Sequence, residues 1–450
     1  METSITKQQL FSKEDLKKLI IPLLFEQALA ITVGMADTVM ISSAGEAAVS
    51  GVSLIDMFNN LIISVLAALA TGGAVVTSQF LGAGKKEDAC KSAKQLIVSS
   101  VCITIGISIL VMVFCNGIIS LFFGKIEADV FHNAVIYMMI SALSFPFLAL
   151  YNSCAALFRS MGNSQITLKV SVVENIINIG GNALGVYVLG LGVAGVAIAT
   201  VVSQAISCVL VLRCLYKSEG SYQLRFSKLC LKKDYIIPIF QVGIPAGIQS
   251  TVINFSNVLL QSSVNSFGSI AMAGYTAANN VLGFLYTSVN SVTQACMSFT
   301  SQNYGVGKYK RMDKVLIDCL ILSSGIALVM GGGAYLFGTE ILQIYTGDPE
   351  VIRCGMEILS ITTVPYFLCG IMDLFPGALR GMGCSAVPMI LSVIGTVGTR
   401  IVWIFGIFPR HRSLYVLFIS YPGSWIITII LQVICYLIVR KKVHSRAAAV

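Results

Sequence analysis

Long apolar runs, not a short hydrophobic period, dominate this chain. Twelve of them fall at 19–43, 53–80, 93–123, 131–158, 165–189, 193–216, 236–264, 271–301, 315–338, 351–379, 386–408 and 414–439. A helix crosses a bilayer with about 20 apolar residues, and the longer runs cross with tilt or a kink. An open sheet would leave backbone polar groups unpaired in lipid, so each run predicts a helix. The interruptions are short except at 217–235, where Lys217, Glu219, Arg225, Lys228, Lys232, Lys233 and Asp234 break the pattern near mid-chain. The pattern therefore predicts an all-α polytopic membrane protein with twelve transmembrane helices.

The two halves repeat. At a shift of 223 residues, Ile21-Pro22 falls on Ile244-Pro245, and Ser43, Gly45, Ala48 and Gly51 fall on Ser266, Gly268, Ala271 and Gly274. In the same register Thr77-Ser78-Gln79, Gly82, Gly84 and Lys85 fall on Thr300-Ser301-Gln302, Gly305, Gly307 and Lys308. Further on, at a shift of 221, Arg159, Met161, Gly162 and Ser164 meet Arg380, Met382, Gly383 and Ser385. Residues 1–222 are thus expected to form an N-terminal lobe, 223–235 a cytoplasmic linker and 236–450 a C-terminal lobe. Six spans per repeat, an even number, make the halves parallel and relate them by a pseudo-two-fold axis along the membrane normal. Two such bundles suit alternating access around a site near the midplane, although a duplicated bundle need not transport.

Composition agrees: 56% of residues are hydrophobic and 11% charged, against roughly a quarter charged in soluble domains. With both termini inside, 25 of the 30 Lys and Arg residues lie on the cytoplasmic side. Only Lys125, Arg353, Arg410 and Arg412 lie outside, and Arg400 falls within a span. The formal charge of +9 is then an orientation signal that puts both termini in the cytoplasm, not a nucleic-acid surface. The thirteen cysteines show no C-x-x-C spacing and the three histidines are scattered, so neither a metal cluster nor a redox motif is expected. The polar N-terminus and long first run argue against a cleaved signal peptide. No nucleophile–base motif, channel filter or phosphate-binding loop is legible. No enzymatic activity, no cofactor and no ATP drive by this chain are expected.

Acids inside spans are costly, about 2.5–3.5 kcal/mol each on insertion scales, and mark function. Four stand out: Glu26 and Asp37 in the first span, Glu174 in the fifth and Asp373 in the tenth. Asp56, Asp318 and Glu357 lie near span ends, where water would solvate them. Glu174, Asn178 and Asn182 form one helical stripe at i, i+4 and i+8. At 1.5 Å per residue from the cytoplasmic ends, Asp37 lies at about 27 Å, Asn178 at about 18 Å, Asn182 at about 24 Å and Thr200 at about 20 Å. Glu26, at about 10 Å, and Glu174, at about 12 Å, form an inner level. A carboxylate with two amides and a hydroxyl suits a hard monovalent cation or a proton. Asn and Thr also serve as helix–helix glue, which leaves the acids unexplained. Pro22, inside the first span, is a candidate hinge or a static kink. The second half carries Gln249 and Leu260 where the first has Glu26 and Asp37. Its candidate cavity lining is Gln249, Asn254, Asn257, Asn279, Asn280, Asp373 and Arg400. The last two are a possible ion pair, although their depths match poorly.

These residues resemble the multidrug and toxic compound extrusion (MATE) family, in its bacterial branches. The resemblance rests on Pro22 to Glu26-Gln27, Gly34-Met35-Ala36-Asp37-Thr38-Val39-Met40, Thr77-Ser78-Gln79 with Gly82 and Gly84, and Arg159 before Met161-Gly162-Asn163-Ser164. It extends through Gly192, Gly195, Ala199-Thr200 and Leu379-Arg380-Gly381-Met382-Gly383. It implies export of organic cations across the plasma (inner) membrane, driven by inward Na+ or H+, in a chain acting as a monomer. The family's cation site carries over onto Asp37, Asn178, Asn182 and Thr200, with Na+ as one expected occupant at Asp37. Asn182 departs from the Asp often found there. Either Glu174 supplies the second acid or one carboxylate suffices. The acidic seventh-helix residue of one branch is absent, with Ile253 and Asn254 in that stretch. The alternative within the superfamily is a lipid-linked oligosaccharide flippase, which would need a strongly cationic cavity.

Overall fold

The computed structural model describes residues 12–124, 126–217 and 232–448. Residues 223–231 of the expected linker lie outside them. The described residues are helical throughout, with no strand among them. The first half contains α1 (Lys13–Ser42), α2 (Glu46–Gly82), α3 (Lys86–Phe123), α4 (Ala128–Ala142), α5 (Phe145–Ser160), α6 (Gln165–Ala183) and α7 (Val193–Lys217). The second contains α8 (Lys233–Asn265), α9 (Ser269–Val306), α10 (Tyr309–Leu336), α11 (Gly338–Gln343), α12 (Pro349–Thr362), α13 (Tyr366–Gly381), α14 (Ala386–Ser392), α15 (Thr399–Val402), α16 (Leu414–Phe418) and α17 (Ser420–Ala448).

All twelve apolar runs are helical, but not all are single straight helices. Among the described residues, eight helices are long and apolar enough to cross a membrane, and two bent pairs raise the number to ten. The pairs are α4 with α5, bent by 49°, and α12 with α13, bent by 52°. Pro146 stands in the first turn of α5, and Pro365 immediately precedes α13. Proline fits a helix start and cannot continue the hydrogen-bond ladder from before it. The other two long stretches are α6, continued by a π-helical turn over Leu184–Val188, and α9. α1 runs on through Pro22, which is buried.

Two compact units emerge. The N-terminal unit comprises Lys13–Leu81 and Lys85–Gly247, and the C-terminal unit is built chiefly from Ile248–Val450. The beginning of α8 packs with the N-terminal unit. The Tyr235 hydroxyl donates to Asp88 Oδ1 of α3 at 2.7 Å. A Cβ on Gly243 would stand 3.1 Å from Leu69 Cα, so glycine lets α8 lie backbone-close on α2.

The internal repeat is visible in each unit's own geometry. Gly45 and Gly268 turn with φ of 103° and 97°, Gly84 and Gly307 with 74° and 77°, and Gly162 and Gly383 with 75° and 84°. This left-handed region is open to glycine at little cost, which explains why glycines mark the repeat. Gly51 and Gly274 do a second job twice. A Cβ on Gly51 of α2 would stand 2.9 Å from Val130 O of α4, and one on Gly274 of α9 would stand 2.8 Å from Val351 O of α12. Small residues let helices approach closely in lipid, where association relies on packing.

Candidate functional site

In the N-terminal unit, α1, α6 and α7 bring the expected residues together. α6 and α7 touch backbone to backbone: a Cβ on Gly195 would lie 2.8 Å from the carbonyl carbon of Gly185, and one on Gly181 would lie 2.8 Å from the Ala199 Cβ. That approach puts Thr200 beside Asn178, whose Nδ2 donates to Thr200 Oγ1 at 3.3 Å. Asn182, one turn on, donates through Nδ2 to Asn178 Oδ1 at 3.2 Å and to Asp37 Oδ1 at 2.6 Å. Asn182 is 0% exposed, and its Oδ1 has no hydrogen-bond partner. An unpaired acceptor buried in lipid-like surroundings costs about 1–3 kcal/mol. A cation beside Asp37 would satisfy it, so the donor set fits a small hard monovalent ion of the Na+ or proton class.

The inner pair stands as a second cluster. Glu26 is buried and accepts from Thr167 Oγ1 at 2.9 Å. Ser164, at the start of α6, donates to Leu19 O at 2.7 Å and ties α6 to α1. Ser207 of α7, whose hydroxyl donates to Gln204 O at 3.0 Å, stands beside Glu174, and the charges of Glu26 and Glu174 both act on the buried hydroxyl of Tyr151. Tyr151 was not legible as a site residue, since one tyrosine among sixteen carries no periodic signal.

The C-terminal unit sorts its polar residues differently from expectation. Arg400 is 3% exposed, donates from Nη1 to Asn257 Oδ1 at 2.8 Å and lies over the Tyr421 ring at 4.2 Å. The described residues hold no Asp373–Arg400 ion pair. Instead the charge of Arg380 acts on Asp373, and Arg380 donates from Nη2 to Gln249 Oε1 at 2.6 Å. Asp373 and Arg380 are seven residues, two turns, apart on α13, so one helix face carries both. That spacing was available in the sequence. Asn254 is half-buried, while Asn279 and Asn280 are exposed.

Sequence reading also missed Asp56. It does not sit at a water-washed helix end: Tyr137 of α4, itself 7% exposed, donates to Asp56 Oδ1 at 3.0 Å, and the charge of Asp56 acts on Asp37. No group of three or more His, Cys, Asp or Glu side chains fit for a metal ion occurs among the described residues.

Against known proteins, the family model described as MatE matches residues 22–184 and 245–405, once in each half. The chain is 26% identical over 411 residues to the "Probable multidrug resistance protein YoeA" of Bacillus subtilis, covering 88% of this chain and 87% of that protein. It is 25% identical over 403 residues to the "Probable multidrug resistance protein NorM" of Thermotoga maritima, covering 86% and 84%. Among solved structures, a crystal structure of MATE in the bent conformation superposes with a TM-score of 0.87 at 18% identity, covering 97% of each chain.

Proposed function

Because the chain belongs to the MatE family, matched in both halves, we propose that it is a secondary multidrug efflux transporter that exchanges organic cations for inward Na+ or H+. The observation that carries this reading is the Asp37–Asn182–Asn178–Thr200 chain, half-buried at its ends and buried at its amides, with its unpartnered Asn182 oxygen. The names of the relatives, multidrug resistance proteins, support a drug-like small-molecule cargo. The coupling ion binds at Asp37 and takes the place of the Asn182 amide hydrogens on the carboxylate. It thereby loosens or tightens α1 against α6. Fifteen residues earlier, Pro22 removes one rung of the α1 ladder and lets that helix bend in response. Occupancy biases inward- against outward-facing states only if the ion binds them unequally. The protein acts as a monomer in the plasma membrane, with both termini in the cytoplasm. It holds no cofactor and performs no catalytic step. A flippase for lipid-linked sugars is disfavoured, because Arg380 and Arg400 already engage Gln249, Asn257 and Tyr421.

The test is ethidium export from proteoliposomes under an imposed Na+ gradient or an imposed pH gradient, applied separately. One of the two is expected to drive accumulation. Ethidium movement that neither gradient accelerates would defeat the reading.

Glu26 and Glu174 are assigned a supporting role. Glu26→Gln and Glu174→Gln are each expected to slow export about fivefold, the size of one lost hydrogen bond of about 1 kcal/mol. A double replacement that transports like the wild type would make both purely structural.

A further inference from the structure

Arg400 is a buried base inside a membrane span, and no carboxylate pairs with it among the described residues. We propose that it holds a monovalent anion in the C-terminal unit, either a halide or the carboxylate group of a larger solute. The two halves of the chain then carry sites of opposite charge at corresponding positions of the repeat. The inference concerns binding within one unit and stands apart from the antiport reading above.

Three helices position the side chain. Arg400 lies on the short α15, between π-helical turns over Val393–Gly398 and Trp403–Ile407. Such turns widen a helix and recur at functional sites. The guanidinium carbon stands 4.2 Å from the centre of the Tyr421 ring of α17, and Nη1 donates to Asn257 Oδ1 of α8 at 2.8 Å. Phe418, stacked at 5.9 Å, and Trp425, edge-on at 5.8 Å, hold the Tyr421 ring in place. Arg400 is 3% exposed, yet its Nε, fully buried, has no hydrogen-bond partner. Among the described residues Nη1 alone finds an acceptor. The two residues that Arg400 touches, Asn257 and Tyr421, are only half-buried, so a small solute reaches the rim of the site.

Charge and the repeat both argue for a ligand rather than for packing. A buried guanidinium without counter-charge is strongly destabilising, and an aromatic face offsets only part of that cost. Arg353 and Arg440, by contrast, pair with Glu350 and Asp313. Nε and the adjoining Nη2 form the edge that meets a carboxylate through two parallel hydrogen bonds, and a halide can sit on the same edge. Asn257, with its oxygen turned to Arg400, keeps its Nδ2 hydrogens as further donors. One free edge answers one negative charge and is too little for a pyrophosphate. At the shift of 221, Tyr421 falls on Thr200 and Arg400 on Ile179, the neighbour of Asn178. At the shift of 223, Leu260 falls on Asp37, and Asn257 lies about one turn before Leu260. The C-terminal unit therefore puts an apolar residue in place of the acid and a base beside the corresponding amide position. Its ligand has the opposite sign.

Intrinsic fluorescence reads the site, because both tryptophans of the chain border it. Trp403 opens the π-helical turn after Arg400, and Trp425 packs on Tyr421. Bromide, a heavy-atom quencher, is titrated into the full-length protein in detergent, in sulfate buffer at constant ionic strength. The wild type is expected to show saturable quenching. Arg400→Gln should show only the linear, collisional component. Arg400→Lys keeps the charge but loses the edge of fixed donors, and its half-saturation should rise about tenfold. Linear quenching of the wild type overturns the proposal, as does saturable quenching that persists in Arg400→Gln. Should Arg400→Gln fail to fold, Arg400→Lys decides, and an unmoved half-saturation there overturns the proposal too. Chloride and benzoate are then added as competitors. Displacement of bromide by chloride alone identifies an inorganic anion, and displacement by benzoate identifies the carboxylate of a larger solute. Displacement by neither means that bromide acts elsewhere, and the inference falls. None of these readouts involves ethidium export, so a failure of antiport leaves them unchanged.

Discussion

Asp37→Asn is expected to reach the membrane at wild-type abundance and to lose ethidium export at least about 100-fold, a loss of about 2.7 kcal/mol in driving interaction. The abundance part follows from geometry. The replacement is isosteric and keeps an acceptor oxygen for the Asn182 Nδ2 that now stands 2.6 Å from Asp37 Oδ1, so the α1–α6 contact survives. The transport part follows from charge. An amide neither takes up a proton near working pH nor neutralises Na+, and the remaining ligands, Asn178, Asn182 and Thr200, are all neutral. Thr200→Val should be milder, about five- to tenfold, since it removes one hydroxyl partner of Asn178 and no charge. The check is ethidium export normalised to protein amount in the membrane. Wild-type export by Asp37→Asn at equal abundance would remove Asp37 from the coupling role, and near-zero abundance would make it a folding residue instead.

Asp37, Asn178, Asn182 and Thr200 were legible in the sequence for a physical reason. In a span, position along the helix is depth, and the stripe at i, i+4 and i+8 fixes direction, so residues on three helices could be matched by height. The turns were legible because only glycine accepts a positive φ at low cost, and the repeat displays the same glycines twice. The rest failed where chemistry depends on which helix faces which. Asp56 counted as a solvated helix end, since nothing in α2 announces that Gly51 will pull it against α4 and under Tyr137. Charge and rarity in the sequence point to Asp373 as a partner for Arg400. The structure instead meets it with an amide and an aromatic face, partners so numerous in this chain that they carry no signal. The π-helical turn at Leu184–Val188 was likewise invisible, because widening by one residue leaves an all-apolar pattern unchanged.

Gly195→Val is expected to damage fold and site together. The added Cβ would lie 2.8 Å from the carbonyl carbon of Gly185, 2.9 Å from its oxygen and 3.0 Å from its Cα. All three are backbone atoms, so no side-chain rotation relieves the clash and α6 must move away from α7. Overpacking of this kind costs about 3 kcal/mol or more, which corresponds to a melting temperature in detergent lowered by roughly 3–6 °C. The same displacement stretches the 3.3 Å bond between Asn178 and Thr200, so export should fall even in the fraction that folds. Gly180→Ala is the control on the same helix. A Cβ there meets nothing within 4 Å, and alanine is favoured over glycine in a helix by about 1 kcal/mol, so melting should hold or rise slightly with export intact. If Gly195→Val melts and transports like the wild type, α6 and α7 are not in backbone contact. The approach of Thr200 to Asn178 would then have to rest on the Gly181–Ala199 contact instead of the glycine pair.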